Sequence, residues 1–344
     1  MEIILYFDLP TWWFLIIGAI FTGYGILDGF DLGAGSLHLF FKSDRDRRIA
    51  LNAIGPVWDG NEVWLVIGGG ALFAAFPVLY ASILSGFYIP TIIFVSAIIF
   101  RAVSIEFRSK EPMKWWRQLW DITYSLSSIL IALLLGLILG NIATGIPIEQ
   151  DFIINAAALS LFRPFPLLVA ITTLSLFAMH GSIFLIMKTE HVMHARLTIF
   201  VKYTVTIFIF FYISTTIAAI VYYPHLTDKL INTPVFLFVP VLAGLNVFNI
   251  LFFVFKKKYL YAFLASGVTI GLLLILVAFE LYPNVLLSTI SPKNNITIYN
   301  AASSSKSLNI MLLLAAIGTP LAITYTCFTL WTFRGKTRLD EGSY

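Results

Sequence analysis

Four acidic residues lie in two segments that are otherwise apolar enough to cross a membrane. Asp28 and Asp31 are three residues apart, as are Asp59 and Glu62, so each pair shares one side of a predicted helix. Ionisable side chains inside a membrane are costly, and they usually face protein or water along an ion or proton route. The two pairs therefore indicate proton transfer. The alternative is that acids at helix ends only cap the helix or pair with Lys and Arg.

Three glycines accompany the first acidic pair. Gly25, Gly29 and Gly33 recur every four residues and so fall on one helical face, where a second backbone can approach closely. Asp28 and Asp31 share a neighbouring face. The spacing predicts tight helix packing on the glycine face, with the acids turned to one side of it.

The composition is that of an integral membrane protein. Of the 344 residues, 59% are hydrophobic and 12% are charged, and this charged share is about half that of an average soluble domain. The first apolar run is longer than the core of a signal peptide, so no cleaved signal is expected. The single cysteine, Cys327, excludes an internal disulfide, a thiolate iron–sulfur cluster and haem attachment through paired cysteines.

Apolar runs of about 20 residues predict an all-α protein with about nine transmembrane helices. A tight hairpin at Phe76 and Pro77 is predicted to join the second helix to the third. Residues 1–145 are expected to form a first four-helix bundle that contains the acids, and residues 146–344 a second bundle plus the C-terminal helix, all within one membrane domain. The predicted helices cover approximately 12–38, 56–75, 78–100, 115–140, 165–187, 198–222, 234–255, 259–281 and 308–332.

The basic residues predict the orientation in the membrane. When the loops are assigned alternately to the two sides, 18 of the 22 Lys and Arg residues fall on one side and four on the other. By the positive-inside rule, the amino terminus is outside and the carboxyl terminus is cytoplasmic.

This orientation brings five acids and an arginine to the cytoplasmic side of the first four helices. Such a cluster can hold and pass protons near neutral pH. A structural ion-pair network that locks the four helices together is the alternative. The residues are the candidate proton-route acids Asp28, Asp31, Asp59, Glu62 and Asp121, with Arg101 as their charge partner.

The histidines argue against a haem site in this chain. His180 is the one histidine well inside a predicted span, whereas haem ligation by two side chains needs a second, facing His or Met. A lone histidine of this kind is typical of a hydrogen bond within the bundle. The sequence also has no Walker A motif, no HExxH and no cluster with metal-site spacing, so no catalytic residue and no metal site are expected in this chain alone.

An ordered series of short segments resembles subunit II of the cytochrome bd-type ubiquinol oxidases, including the cyanide-insensitive branch. The series is specific over roughly the first 145 residues and becomes diffuse beyond them. It includes Leu-Asp-Gly-Phe-Asp-Leu-Gly at 27–33 and Pro-Val-Trp-Asp-Gly-Asn-Glu-Val-Trp-Leu at 56–65, followed by matches at 69–77, 85–88, 100–101, 106–108, 120–121 and 140–141.

The resemblance implies a heterodimer with a larger subunit I in the bacterial inner membrane. Subunit I would hold the b-type haems and haem d, ubiquinol would be oxidised, and dioxygen would be reduced to water. A small single-helix subunit is a further expected partner, together with lipid and quinone but no nucleic acid. This chain would contribute assembly, stabilisation of subunit I and cytoplasmic proton delivery by the acids named above.

A self-sufficient proton-coupled transporter is the alternative function. Transporters often carry broken helices in both halves of the chain. Here the acids and glycines are concentrated in the first four predicted helices, which favours the oxidase subunit.

Overall fold

The computed structural model describes residues 8–154, 158–232 and 237–339. Within these ranges the chain forms twelve α-helices and two short strands. The first residues of the predicted seventh helix, 234–236, lie outside them. The elements are α1 (Leu9–Leu37), α2 (Asp44–Ile54), α3 (Trp58–Ala75), α4 (Pro77–Gly86), α5 (Tyr88–Phe107), α6 (Lys114–Thr144), α7 (Pro164–Lys188), α8 (His191–Tyr222), α9 (Asp228–Asn232), α10 (Phe238–Phe255), α11 (Tyr259–Leu281), β1 (Asn284–Leu286), β2 (Ile296–Thr297) and α12 (Ser305–Thr332).

Eight of the described helices are long and apolar enough to cross a membrane: α1, α5, α6, α7, α8, α10, α11 and α12. The pair α3 and α4 passes the same test jointly, although it is bent by 118°. Counting that pair as one broken span gives nine, which confirms the predicted all-α fold with about nine transmembrane helices.

The boundary predicted for the third helix was wrong. The chain does not continue as one helix over 78–100, because α4 ends at Gly86 and α5 begins at Tyr88. Pro77 starts α4, where its missing N–H costs nothing, but its ring cannot be accommodated within a continuous α3. At the predicted hairpin, Phe76 and Pro77, the chain bends by 118° between α3 and α4.

Helix α1 lies at the centre of the molecule and packs against α3, α6, α7 and α11. Its glycine face contacts α7 and α11. A Cβ atom built on Gly33 would lie 1.8 Å from the backbone oxygen of Phe177, and one on Gly29 would lie 2.9 Å from the Phe177 ring. On α7, a Cβ on Gly181 would lie 2.4 Å from the backbone nitrogen of Ala34. Helices α1 and α7 therefore touch through their backbones.

Two large apolar cores run through the described helices, beside a small third cluster of Leu134, Leu137 and Ala170. The larger joins residues from both halves of the chain, such as Phe30, Ile131 and Ile183. The smaller includes Trp13 and Phe76, packed against the loop segment where β1 pairs antiparallel with β2. The division into two bundles at residue 145 stays a prediction.

Candidate functional site

Arg101, on α5, is fully buried and lies between two carboxylates from other helices. Its Nη2 is 2.8 Å from Oδ1 of Asp28 on α1, and its Nη1 donates a 2.5 Å hydrogen bond to Oε1 of Glu62 on α3. The Asp28 contact is an ion pair that lacks hydrogen-bond alignment, and among the described residues the Nε of Arg101 has no hydrogen-bond partner. One guanidinium group thus ties three helices together.

Asp31 lies beside this ion pair and is hydrogen-bonded to the side-chain amide of Asn61 on α3. Its Oδ2 accepts a 2.7 Å hydrogen bond from Nδ2 of Asn61, whose Nδ2 also lies 3.3 Å from the Leu27 carbonyl oxygen. The other oxygen, Oδ1, is buried and has no hydrogen-bond partner within the described ranges. We call Asp28, Asp31, Asn61, Glu62 and Arg101 the Arg101 cluster.

Local sequence explains why these side chains meet. Asp28 and Asp31 are separated by three residues and share one side of α1. Gly29 and Gly33 hold an adjacent side of that helix against α7, so the carboxylates are left to face α3 and α5. On α3, Asn61 and Glu62 are consecutive. Asn61 donates a hydrogen bond to Asp31, and Glu62 pairs with Arg101.

The charges of the Arg101 cluster do not balance when every group is ionised. Three carboxyl groups surround one guanidinium group, which would leave two excess negative charges. Burying such an excess costs several kcal/mol per ion, so buried carboxyls without a counter-charge take up protons instead. The arrangement can therefore accept and release protons.

Asp121, on α6, forms a second cluster at the end of α1. Its Oδ1 lies 2.5 Å from Nε2 of His38 and accepts a 2.5 Å hydrogen bond from Nε of Arg108. Its Oδ2 accepts a 2.9 Å hydrogen bond from Nη1 of Arg47. Arg108 also donates to Oδ1 of the half-exposed Asp44 at 2.8 Å. We call these five residues the Asp121 cluster.

The charge of the Asp121 cluster is balanced, unlike that of the Arg101 cluster. Burial lowers the pKa of Arg108, but the hydrogen bond and charge of Asp121, with those of Asp44, raise that pKa above its usual value. With two arginines for two aspartates, no excess charge is left to attract protons. The geometry is that of a structural tie between α1, α2, α5 and α6.

The five acids expected to converge thus fall into three environments. Asp28, Asp31 and Glu62 belong to the Arg101 cluster and Asp121 to the other, whereas Asp59 has an exposed side chain in the first turn of α3. Glu62 is intermediate, with 16% of its side chain exposed.

Sequence reasoning did not assign a role to Asn61, His38 or Arg108. Asn61 was detectable as the amide between two acids of the second pair. His38 directly follows α1 and lies seven residues, about two helical turns, after Asp31. Arg108 falls in the matching segment 106–108, but its partner is set by how α5 and α6 pack.

His180, on α7, has both ring nitrogens engaged. Nδ1 lies 2.6 Å from Oγ of Ser266, and Nε2 lies 3.0 Å from the carbonyl oxygen of Ile26. The imidazole stacks on Phe263 with ring centroids 4.5 Å apart. These surroundings fit a hydrogen-bonded histidine that links α1, α7 and α11, and they do not fit an axial haem ligand. Within the described ranges, no three His, Cys, Asp or Glu side chains are grouped to hold a metal ion.

Comparisons of the sequence identify similar proteins over nearly the whole chain. Residues 9–333 match the family model described as cytochrome bd terminal oxidase subunit II. Cytochrome bd ubiquinol oxidase subunit 2 of Bacillus subtilis is 30% identical over 335 residues, with 97% of this chain and 98% of that protein covered. Cytochrome bd-I ubiquinol oxidase subunit 2 of Escherichia coli K12 is 29% identical over 360 residues, with 96% and 95% covered.

The fold is similar to that of a solved structure, the bd oxidase from Geobacillus thermodenitrificans. The TM-score is 0.76 at 18% sequence identity, and the match covers 94% of this chain and 98% of that chain. At this identity the likeness concerns the fold alone.

Proposed function

The chain belongs to the cytochrome bd terminal oxidase subunit II family, and from this premise we propose that it delivers protons to the oxidase and holds the complex together. It is a multi-pass protein of the bacterial inner membrane. It works as part of a quinol:dioxygen oxidoreductase complex, together with a subunit I.

The charge imbalance of the Arg101 cluster is the observation that carries proton delivery. Its three carboxyl groups, set against one guanidinium group, favour proton uptake. The burial of the acids is graded, since Asp59 is exposed, Glu62 is partly exposed and Asp28 is buried. A proton would pass from water at Asp59 to Glu62 and then to Asp28 and Asp31. Arg101 would lower the cost of each ionised carboxylate without changing its own charge.

The second proposed contribution is assembly and stabilisation of subunit I, which would hold the b-type haems and haem d. The surroundings of His180 support the assignment of the haems to subunit I, because both nitrogens of that ring are engaged in hydrogen-bond contacts within this chain. Haem in subunit I would supply the oxidation of quinol and the reduction of dioxygen. A small single-helix subunit completes the proposed complex.

We further propose that the amino terminus is outside and the carboxyl terminus is cytoplasmic. The 18-to-4 split of basic residues supports this orientation. Three ion pairs also join α2 to the end of α5 and to the first turns of α6 and α8: Arg108–Asp44, Arg117–Asp44 and Arg196–Asp46. A reporter that is active in one compartment only, fused after the last residue, tests the proposal. Activity of a periplasmic reporter at that position would reverse it.

Oxygen consumption by the purified complex tests proton delivery. We expect Asp31→Asn and Glu62→Gln to slow turnover per haem while leaving the haem spectrum unchanged. General acid–base groups typically contribute about 10²–10⁴-fold. Asp151→Asn, at an exposed position in the loop after α6, is the control and should keep normal turnover. Normal turnover per haem in both Asp31→Asn and Glu62→Gln would refute proton delivery through the cluster.

A further inference from the structure

The turn between α10 and α11 carries three consecutive exposed lysines, Lys256, Lys257 and Lys258. A fourth exposed lysine, Lys202, comes from α8, and its Nζ lies 5.9 Å from the centre of the Phe255 ring at the end of α10. We call these four lysines the lysine patch. Four positive charges are thus gathered where the α10–α11 turn meets α8.

The lysine patch has no countercharge from its own helices. Helices α8 and α10 contain no Asp or Glu, and the single acid of α11, Glu280, lies at the opposite end of that helix from the lysines. None of the ion pairs among the described residues includes a member of the patch. Arginines elsewhere in the chain differ, because five of them pair with carboxylates: Arg47, Arg101, Arg108, Arg117 and Arg196. The positive charge of the patch is therefore available to a ligand.

The backbone of the turn holds the lysines in a fixed arrangement. The N–H groups of Lys256 and Lys257 donate hydrogen bonds to the carbonyl oxygens of Phe252 and Val254, both at 3.0 Å. Lys257 has a φ of 56°, which lies in the left-handed region where glycine is the usual residue after a helix and other side chains are strained. Strained backbone of this kind is typical of ligand sites, and a role for the Lys257 charge in binding accounts for it.

The apolar surface beside the lysine patch fits a lipid chain. Phe248, Phe252 and Phe255 are spaced by four and three residues and so share one face of α10, where their exposed fractions are 64%, 46% and 66%. The Nζ of Lys256 lies 5.9 Å from the centre of the Phe252 ring, so the positive charge begins where this apolar face ends. In a helix that crosses a membrane, such a face contacts acyl chains, and a lysine at its end reaches the headgroups.

We propose that the lysine patch binds the headgroup of an anionic phospholipid, whose acyl chain lies along the three phenylalanines of α10. Each ammonium group has three N–H donors, and an aromatic ring on one side leaves donors for phosphate oxygens on the other. Free phosphate offers the same oxygens but no chain for the phenylalanine face, so this face favours the lipid. The patch is separate from the Arg101 cluster, and the inference does not depend on proton delivery.

Lipid binding to the purified complex in detergent tests the proposal. Phosphatidylglycerol and phosphatidylcholine, each with a fluorophore on one acyl chain, are titrated against the wild type and the variants. The test variant combines Lys256→Gln with Lys258→Gln. The matched control combines Lys110→Gln with Lys114→Gln, which removes the same charge from two exposed lysines near the start of α6. Lys256→Arg with Lys258→Arg keeps the charge of the patch.

We expect the test variant to weaken phosphatidylglycerol binding by about tenfold or more, as for two lysines near an anionic membrane surface. The control and the arginine variant should bind like the wild type, and phosphatidylcholine should bind weakly to all. Equal binding by wild type and test variant, or equal loss in the test variant and the control, would overturn the proposal. Displacement of phosphatidylglycerol by inorganic phosphate at matched ionic strength would assign the patch to a free anion instead. Loss of subunit I from the test variant would assign it to a protein contact and also overturn the lipid site.

Discussion

The carboxylate of Asp28 lies 2.8 Å from the guanidinium group of Arg101, and both side chains are shielded from water, with 1% and 0% of their surface exposed. The desolvation of two buried charges offsets much of their attraction, so the pair adds little net stability. Removing one partner is a different matter, because the remaining charge is then buried without compensation. The stability of the fold therefore depends on Arg101, because this guanidinium group compensates the buried carboxylates beside it.

Arg101→Met should destabilise the complex. The variant leaves Asp28 and Glu62 without their cation, which typically costs about 3–5 kcal/mol for a buried pair. The yield of haem-containing complex and its apparent melting temperature measure the effect. Adding Asp28→Asn to Arg101→Met should recover part of the loss, since two contacting residues are not additive. Full yield of Arg101→Met alone would contradict the structural role of the guanidinium group.

Asp121→Asn should lower stability and spare turnover, because the Asp121 cluster has no excess charge. Loss of the carboxylate leaves the buried Arg108 with only the half-exposed Asp44 as an acidic partner and removes the acidic partner of Arg47, and breaking a buried pair typically costs about 3–5 kcal/mol. Asp44→Asn is the matched control, since it also removes a partner of Arg108 but at a position that is 48% exposed, where pairs contribute about 0–1 kcal/mol. Slow turnover per haem in a stably assembled Asp121→Asn complex would instead place Asp121 on the proton route.

Most of the fold could be predicted from the sequence, because each transmembrane helix can be recognised from its own stretch of sequence. Long apolar runs and the alternation of basic loops need no tertiary information. The break at Pro77 was visible as a helix end, but its 118° bend depends on how α4 packs against the segment that follows α6. Likewise, Gly86 ends α4 where a Cβ would lie 2.6 Å from Ile154, a contact between residues far apart in sequence.

The candidate site was only partly predictable, for a related reason. Spacing along one helix places Asp28 and Asp31 on a common side, and that much is local. Which acids share an arginine depends on how the helices are rotated against one another. Asp121 is therefore bonded to Arg108 and His38, although charge and depth alone placed it with the other acids.

Gly33→Ala should prevent normal assembly. The added Cβ would lie 1.8 Å from the backbone oxygen of Phe177, so α1 and α7 would have to separate. Overpacking of this kind typically costs about 1–3 kcal/mol, and more where backbone must move. Gly18→Ala is the control on the same helix, because no atom lies within 4 Å of its added Cβ. Equal yields of the two variants would show that the contact between α1 and α7 is dispensable.

Asp8 should make the start of α1 sensitive to acid. Its Oδ1 accepts a 2.9 Å hydrogen bond from the Thr11 backbone N–H as the N-cap. The Thr11 hydroxyl lowers the pKa of Asp8 in the folded protein, partial burial acts in the opposite direction, and the backbone bond lowers the pKa further. Because the pKa is lower in the folded state, the ionised carboxylate stabilises the fold at pH values above the unfolded-state pKa of about 3.9. This stabilisation is lost as the pH falls through the folded-state pKa. The position is exposed, so the effect is about 1 kcal/mol or less.

Asp8→Asn isolates that pH dependence, because asparagine caps a helix nearly as well but does not ionise. We expect the apparent melting temperature of the two proteins to differ at neutral pH and to converge in acid. A difference that stays constant from about pH 7 to about pH 3 would show that the charge of Asp8 does not contribute.

This polypeptide, expressed without subunit I, should insert in the membrane but bind no haem and oxidise no quinol. Insertion requires only its own apolar helices and basic loops. Haem binding would require His180 to release Ser266 or the Ile26 carbonyl and to leave its stack on Phe263. A reduced-minus-oxidised spectrum of the purified chain measures the outcome. Haem retained at about one per chain, and lost in His180→Ala, would make His180 an axial ligand after all.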